Sequence, residues 1–266
     1  GALSYQWLAN GVALSGASAN TLMLTQTLVG KTISVRVSYT DLQGTAETVS
    51  SQPTAAVANV NDAPLGADKT VSTNEDTPYA FSASDFGFSD VDPEDVLGAV
   101  RIDALPAAGA GLLKLGGVAV TSGQVIVAND IGSLRFEPAL NANGVGLGGV
   151  RFSVRDAALF DAEPNTVTLN VVAVNDAPIA DALSITTGED TAKSGNLPAA
   201  DVDVDTLSFV KVLDPQHGSV VIGTGGTFTY TPATNYNGSD SFSFKVSDGS
   251  LESAPATVTI SVGASN

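Results

Sequence analysis

Asparagine and aspartate side chains stand at two matching positions of this chain, in the string VNDAP. The string begins at Val60 and again at Val174, 114 residues further along. Hard cations such as calcium take about six to eight oxygen ligands from carboxylates, amides and carbonyls. Asp and Asn are also common in turns for backbone reasons, so the string alone leaves both interpretations open. Its recurrence at domain-sized spacing indicates a repeated junction between modules.

Further acidic residues follow each copy of the string in the same order. After the first copy come Glu75, the loop SDVDPED and Asp156; after the second come Glu189, the loop DVDVD and Asp248. Because successive strands reverse direction, we expect the linker, the DVDVD loop and the Asp248 turn to share one end of their module. The sequence thus predicts two groups of oxygen ligands: Asn61, Asp62, Asp90, Asp92 and Asp156 at the first junction, and Glu75, Asn175, Asp176, Asp203, Asp205 and Asp248 at the second.

The acidic loops do not fit the EF-hand pattern. If Asp201 were position one of such a loop, Thr206 and Val212 would stand where a glycine and a glutamate are needed. Starting from Asp90 instead places Asp95 and Arg101 there. A cation site would therefore have to be assembled from several loops.

Catalytic chemistry finds little support among the residue types. There is no cysteine and a single histidine, His217, which excludes Cys-His nucleophile pairs and His-Cys zinc sites. No G-x-S-x-G segment accompanies the many serines. The paired acids fall in loops at module ends without an aromatic platform, unlike a glycosidase couple. We therefore expect no enzymatic activity.

Charge and hydropathy argue against binding to nucleic acid and against insertion into a membrane. The formal net charge is −17, from 28 acidic and 11 basic residues, whereas binding to nucleic acid needs clustered Lys and Arg. No apolar run is long enough for membrane insertion. Without cysteines, stability has to come from packing or from oxygen-liganded ions.

Strands must position the acidic loops, since apolar residues alternate with polar ones along the chain. Residues 33–39, 242–246 and 258–262 show this period of two, and turn signals such as GTGG, NYNG and SDGS separate the runs. The pattern predicts an all-β chain of tandem antiparallel β-sandwiches. The junction strings divide it into three modules, residues 1–62, 63–176 and 177–266.

The first module differs from the others. It opens at what looks like a middle strand, with Tyr5 and Trp7 as core aromatics and few residues before them. We therefore expect an incomplete sandwich with an open edge, to be completed by strands outside this sequence or by another chain.

The second and third modules resemble the bacterial cadherin-like repeats of giant secreted adhesins of the RTX type. The resemblance rests on VNDAP, an EDT turn, the stretch YTPATNYNGSDSFSFKVSDGS and the closing PATVTISV. Segment one, through YQWLANGVALSGASANTLMLTQTLVGKTISVRVSYTD, resembles the immunoglobulin-like modules found beside such repeats. The resemblance implies a secreted, bacterial surface location, calcium (Ca²⁺) binding, and an extender or adhesion role that includes biofilm adhesion.

Two functions remain open from the sequence. The first is a calcium-rigidified spacer whose partners are the neighbouring repeats of the same chain. The second is a module that binds a host or surface glycan or a protein directly, for which aromatic residues in predicted loops, such as Phe160 and Tyr236, would serve. A glycan platform needs aromatics to cluster, and these are scattered, so the spacer is preferred.

Overall fold

The computed structural model describes residues 2–265. By internal contacts the chain divides into two compact units, the first ending at Val172 and the second beginning at Ala173. In the described part of the chain, no helix is both long and apolar enough to cross a membrane. The division into three modules at residues 62 and 176 stays a prediction.

The first unit begins with a single four-stranded antiparallel sheet in the order β2-β1-β3-β4. Its core is small: Ala9, Leu28 and Ile33 are its fully buried members, and Trp7 packs against them half-exposed. Within residues 2–62 the structure contains no second sheet, as the sequence predicted for an incomplete sandwich. The strands are β1 (Ser4–Ala9), β2 (Val12–Ala13), β3 (Ile33–Thr40) and β4 (Ala46–Ser50), with a 3-10 helix at Gln26–Leu28.

The rest of the first unit is a complete sandwich of a five-stranded sheet, β10-β7-β12-β13-β5, and a four-stranded sheet, β6-β11-β8-β9. Alternate residues of β12, namely Val150, Phe152 and Val154, are fully buried because a period of two places them on one face. The strands are β5 (Lys69–Asn74), β6 (Tyr79–Ala80), β7 (Ala99–Ala104), β8 (Gly111–Leu115), β9 (Val118–Ala119), β10 (Val125–Val127), β11 (Leu134–Pro138), β12 (Gly144–Arg155) and β13 (Asn165–Val172), with 3-10 helices at Ala83–Asp85 and Ala128–Ser133.

The second unit repeats this plan on a smaller scale, with sheets β15-β22-β21-β18 and β16-β20-β19 and a short pair β14-β17. Its core is built on Tyr230, Phe242 and Phe244, all almost completely buried. The strands are β14 (Ile179–Ala180), β15 (Leu183–Gly188), β16 (Lys193–Asn196), β17 (Ala199–Ala200), β18 (Ser208–Leu213), β19 (Gly218–Ile222), β20 (Thr227–Pro232), β21 (Gly238–Ser247) and β22 (Ala256–Gly263), with a 3-10 helix at Thr224–Gly226.

Strand direction follows the alternation that the sequence predicted. Most neighbours are antiparallel, and each complete sandwich adds one parallel pair, β5 with β13 and β15 with β22. In each sandwich an early strand thus lies beside the final strand and runs in the same direction. The all-β prediction is confirmed. The loops that carry the acidic residues lie at the ends of the strands.

Candidate metal centre

The first VNDAP string is bonded to the loops of the sandwich that follows it. The side chain of Asn61 donates from Nδ2 to Oδ2 of Asp156 at 2.9 Å, and the backbone N–H of Asp62 donates to Oδ2 of Asp92 at 2.8 Å. Both acceptors are buried, with Asp156 at 0% and Asp92 at 3% exposure, while Asn61 and Asp62 are exposed. The linker is thus held by two carboxylates that belong to different loops.

Asp156 is kept ionised by its own turn. Its Oδ1 accepts hydrogen bonds from the backbone N–H groups of Ala158 and Leu159, at 2.5 and 2.7 Å. Burial acts to raise the pKa of Asp156, but hydrogen bonds from the Ala158 amide and the Asn61 side chain outweigh burial and hold the pKa below its ordinary value. A carboxylate held in this way presents a fixed negative charge at the loop end.

Asp90 and Asp95 complete the first acidic group. Oδ1 of Asp90 accepts the backbone N–H of Asp92 at 2.9 Å, while its Oδ2 is buried and accepts no hydrogen bond from the described residues. One carboxylate oxygen from each of Asp90, Asp95 and Asp156 lies within 4.8 Å of the others. Burial, and then the charges of neighbouring carboxylates with Asp156 foremost, raise the pKa of Asp95. This group therefore repels itself electrostatically when all its members are ionised.

A glutamine from the first module also reaches this group. Gln26, in the 3-10 helix, donates from Nε2 to Oδ1 of Asp92 at 2.5 Å and to Oδ1 of Asn59 at 2.9 Å. Gln26 is not among the residues predicted from the sequence, because nothing local marks a glutamine 66 positions away from its partner. Gln26 ties the first module to the acidic loop of the sandwich after it.

The second VNDAP string makes the same bonds within the second unit. Nδ2 of Asn175 donates to Oδ2 of Asp248 at 2.8 Å, and the backbone N–H of Asp176 donates to Oδ2 of Asp203 at 2.8 Å. The Asn175 hydrogen bond, with those from the backbone of Leu251 and Ser250, holds the pKa of Asp248 below its ordinary value. The convergence of linker, DVDVD loop and Asp248 turn is therefore confirmed.

Each group contains an orphan oxygen, that is, a buried carboxylate oxygen that accepts no hydrogen bond from the described residues. Oδ1 of Asp201 accepts the backbone N–H of Asp203 at 2.9 Å, as Oδ1 of Asp90 does from Asp92. Oδ2 of Asp201 is buried and, like Oδ2 of Asp90, accepts no hydrogen bond among the described residues. Asp201 and Asp95 are absent from the sets predicted from sequence. The shared Asp-Val-Asp spacing at 90–92 and 201–203 was the signal that could have identified Asp201.

Two residues predicted for the second junction lie differently. Asp205 is exposed, and its backbone N–H donates to Oδ1 of Asp201 at 3.4 Å. Glu75 is buried in the first unit, where its Oε2 accepts Nδ2 of Asn143 at 3.0 Å and its backbone N–H donates to Val172. It lies at the opposite end of β13 from the Asp156 turn. Metal ligation by either residue stays a prediction.

The oxygen atoms of both groups are suitable ligands for a hard divalent cation. The carboxylates of Asp156 and Asp248 are held in the ionised form, and Oδ2 of Asp90 and Oδ2 of Asp201 are buried and accept no hydrogen bond from the described residues. Buried acceptors normally find a partner, so a matched pair of exceptions calls for a physical cause, such as an ion. Calcium accepts irregular sets of carboxylate, amide and carbonyl oxygens, whereas magnesium demands a near-ideal octahedron.

Comparison with known proteins reproduces the repeat. The model of the bacterial Ig domain family matches residues 61–172 and again residues 175–261, which together make up more than half of the chain. Each match begins at the asparagine of a VNDAP string. The integrin beta-like protein A of Dictyostelium discoideum is 27% identical over 225 residues, covering 76% of this chain and 11% of that protein.

Solved cadherin structures share the fold. The EC1-2 fragment of human protocadherin-24 matches with a TM-score of 0.50 and 18% identity, over 77% of this chain and 100% of that one. The EC22-24 fragment of mouse cadherin-23 matches with a TM-score of 0.53 and 14% identity, over 99% and 86%. The resemblance to cadherin-like and immunoglobulin-like repeats is therefore confirmed, and at these identities it concerns the fold.

Proposed function

The chain belongs to the bacterial Ig domain family, and from that membership and its acidic groups we propose that it is a non-catalytic segment of a bacterial surface adhesin, stiffened by calcium at its linkers. In the first group, Asn61, Asp62 and the acids of the SDVDPED loop and Asp156 turn would hold the ion. In the second, Asn175, Asp176, Asp201, Asp203 and Asp248 would do so. The neighbouring repeats of the chain are its immediate partners.

The matched orphan oxygens of Asp90 and Asp201 carry this proposal. Each belongs to an aspartate whose other oxygen is used in the same way, and each is buried beside a linker held by two more carboxylates. Turn formation alone explains the Oδ1 bonds but leaves both Oδ2 atoms without a partner among residues 2–265. A cation bound in each group would satisfy these atoms, and in the first group it would offset the repulsion that adds to burial in raising the pKa of Asp95.

An extracellular adhesion role is supported by similarity. The family is named for bacterial Ig domains, the fold is that of cadherin ectodomain fragments, and one relative is named integrin beta-like. The chain spans 11% of that relative, so the activity of a whole protein is carried over here as a proposal. Cysteine-free, acidic modules joined by repeated linkers suit a secreted bacterial extender.

Thermal unfolding with calcium and with chelator tests the proposal. An ion that binds only the folded chain raises the melting temperature progressively as the ion concentration increases. At a hundredfold excess over Kd, the free energy of unfolding increases by about 2.7 kcal/mol. Magnesium at the same ionic strength is the control and should raise the melting temperature less. Identical curves in calcium, magnesium and chelator would refute the calcium role.

Matched variants locate the ions. Asp90→Asn and Asp201→Asn keep an oxygen for the Oδ1 bond and remove the charge of the orphan oxygen. Each should weaken calcium binding in titration calorimetry by about tenfold at its own site. Asp130→Asn, an exposed acid that belongs to neither group, is the control. Unchanged calcium binding in both test variants would contradict the assignment.

A second candidate function rests on one aromatic pair. The rings of His217 and Tyr236 stack with centroids 4.2 Å apart and nearly parallel planes, and His217 is exposed. Such a pair could contact a sugar ring, which would make the second unit a glycan-binding module. Phe160, by contrast, lies beneath the guanidinium groups of Arg101 and Arg155. Glycan-array binding that His217→Ala and Tyr236→Ala abolish would favour this alternative over the spacer.

A further inference from the structure

The outer edge of β4 differs from the equivalent edge in the two complete sandwiches. In those, the last strand of the hairpin carries a parallel partner over six residue pairs: β13 pairs with β5 and β22 pairs with β15. The first sheet has the same antiparallel core, with hairpin β3-β4 and β1 beside β3, as β21-β22 and β18 are arranged in the second unit. No described strand pairs with the outer edge of β4.

The parallel strand has a definite role where it is present. In the second unit, β15 brings Leu183 and Ile185 against the core. Beside them on β22, Val258 and Ile260 are 0% and 2% exposed. The parallel strand therefore both occupies the backbone hydrogen-bonding edge and covers the side chains of the hairpin strand.

Without that strand, the first sheet leaves apolar side chains uncovered. Tyr5, Val37 and Val49 stand opposite one another across β1, β3 and β4, so they share one face of the sheet. Val49 is 62% exposed, and every residue of β4 is exposed. Tyr5 and Val37 are half-buried, so the row is exposed mainly at Val49. An edge with free backbone groups and a partly exposed apolar row is a template for strand addition.

Charge narrows the sequence of the added strand. Glu47 lies two positions before Val49 on β4 and therefore faces the same side of the sheet. A parallel strand in which a basic residue precedes a β-branched residue by two positions can set the first beside Glu47 and the second beside Val49. Lys69 and Val71 of β5 have this spacing against β13, where Val71 is buried.

We propose that the outer edge of β4 binds an extended polypeptide segment from outside residues 2–265, in parallel orientation, with Lys or Arg two positions before Val, Ile or Thr. Backbone hydrogen bonds to β4 supply the affinity. The pairs with Glu47 and Val49 supply the register and the choice of sequence. This surface is independent of the acidic groups, and calcium does not enter the binding.

A labelled peptide with the sequence of residues 67–74, ADKTVSTN, tests the inference when it is titrated with the full chain. We expect saturable binding in fluorescence anisotropy and slower amide hydrogen exchange at residues 46–50. Glu47→Lys should weaken binding by about two- to fivefold, since one cross-strand charge pair is worth about that much. A peptide in which the lysine is replaced by glutamate should recover the loss with the Glu47→Lys chain. Thr48→Lys, on the opposite face of β4, is the matched control and should leave binding unchanged.

Several results would overturn the inference. These are no saturation at millimolar peptide, exchange protection away from β4, or equal effects of Glu47→Lys and Thr48→Lys. Sedimentation of the chain alone distinguishes another occupant. We expect a monomer, and a concentration-dependent dimer that Glu47→Lys disrupts would show that a second copy covers the edge instead.

Discussion

At the scale of single residues, the two acidic groups are built by aspartates that use each oxygen differently. Oδ1 of Asp90 and Oδ1 of Asp201 order their own loops, while the second oxygen of each is buried and accepts no hydrogen bond from the part of the chain that the structure describes. Asp156 and Asp248 are stabilised as anions by backbone N–H groups and by an asparagine of the linker. The two groups share hydrogen bonds that stabilise ionised carboxylates.

Replacing Asp95 should stabilise the chain in the absence of calcium and weaken its binding of calcium. Its pKa is raised by burial and by neighbouring carboxylates, so its ionised form destabilises the folded state. In chelator, stability from this residue should therefore increase as the pH falls through the raised pKa. Asp95→Asn should raise the melting temperature in chelator, remove that pH dependence, and weaken calcium binding by about tenfold. Asp130→Asn is the control, and a lower melting temperature in chelator for Asp95→Asn would contradict the repulsion argument.

At the scale of elements, the position of the Asp156 turn depends on a close backbone approach. The backbone N–H of Gly98, just before β7, donates to the carbonyl of Arg155 at 2.8 Å. A Cβ at Gly98 would overlap the carbonyl oxygen of Asp156 and lie 3.0 Å from its carbonyl carbon. The glycine therefore lets β7 and the end of β12 place the carboxylate of Asp156 beside the linker.

Gly98→Ala should displace that turn. We expect a loss of about 1–3 kcal/mol in the free energy of unfolding, because neither backbone can move away freely. Weaker calcium binding at the first group, but not at the second, should accompany the loss. Gly132→Ala is a suitable control because a Cβ there would meet nothing within 4 Å. Equal stability of both variants in urea denaturation would count against the close approach.

The first sheet should unfold before the two sandwiches. Its core contains three fully buried residues, and the edge of β4 lacks a strand partner among the described residues. Trp7, the single tryptophan, packs on this core and therefore reports on this sheet alone. Its fluorescence should change at a lower denaturant concentration than the far-ultraviolet circular dichroism of the whole chain. Coincident transitions would mean that the sheet unfolds together with its neighbours.

At the scale of the whole molecule, excess negative charge opposes folding while packing supports it. The formal charge of −17 is spread over a chain whose apolar residues form three separate core clusters. Net charge far from zero destabilises a compact state through self-repulsion, and dissolved ions screen that repulsion. The chain should therefore be sensitive to ionic strength even where no ion binds specifically.

Raising NaCl from about 0.01 M to about 0.5 M in chelator should raise the melting temperature, because the Debye length falls from about 30 Å to a few ångströms. KCl should give the same rise, since screening depends on ionic strength and not on the identity of the ion. Calcium added at constant ionic strength should raise the melting temperature further. A melting temperature that NaCl lowers would show that self-repulsion does not limit stability.

The all-β fold, the alternation of strand direction and the ends at which the acidic loops meet could be predicted from the residue pattern. These follow from local rules, since a period of two sets the faces of a strand and each turn reverses the chain. The pairing of each VNDAP string with two loops of the following sandwich was predictable on that basis, and it is confirmed at Asp156 and Asp248.

Which oxygens of these acids accept hydrogen bonds, and which accept none from the described residues, is visible only in the folded chain. Asp95 belongs to the first group because its carboxylate is brought within 4.8 Å of those of Asp90 and Asp156, and Gln26 because the 3-10 helix of the first sheet places it beside Asp92. The roles of Asp205 and Glu75 depend likewise on where their side chains lie. Such proximity arises from packing between segments distant in the chain, and no local pattern of residues encodes a distance of that kind.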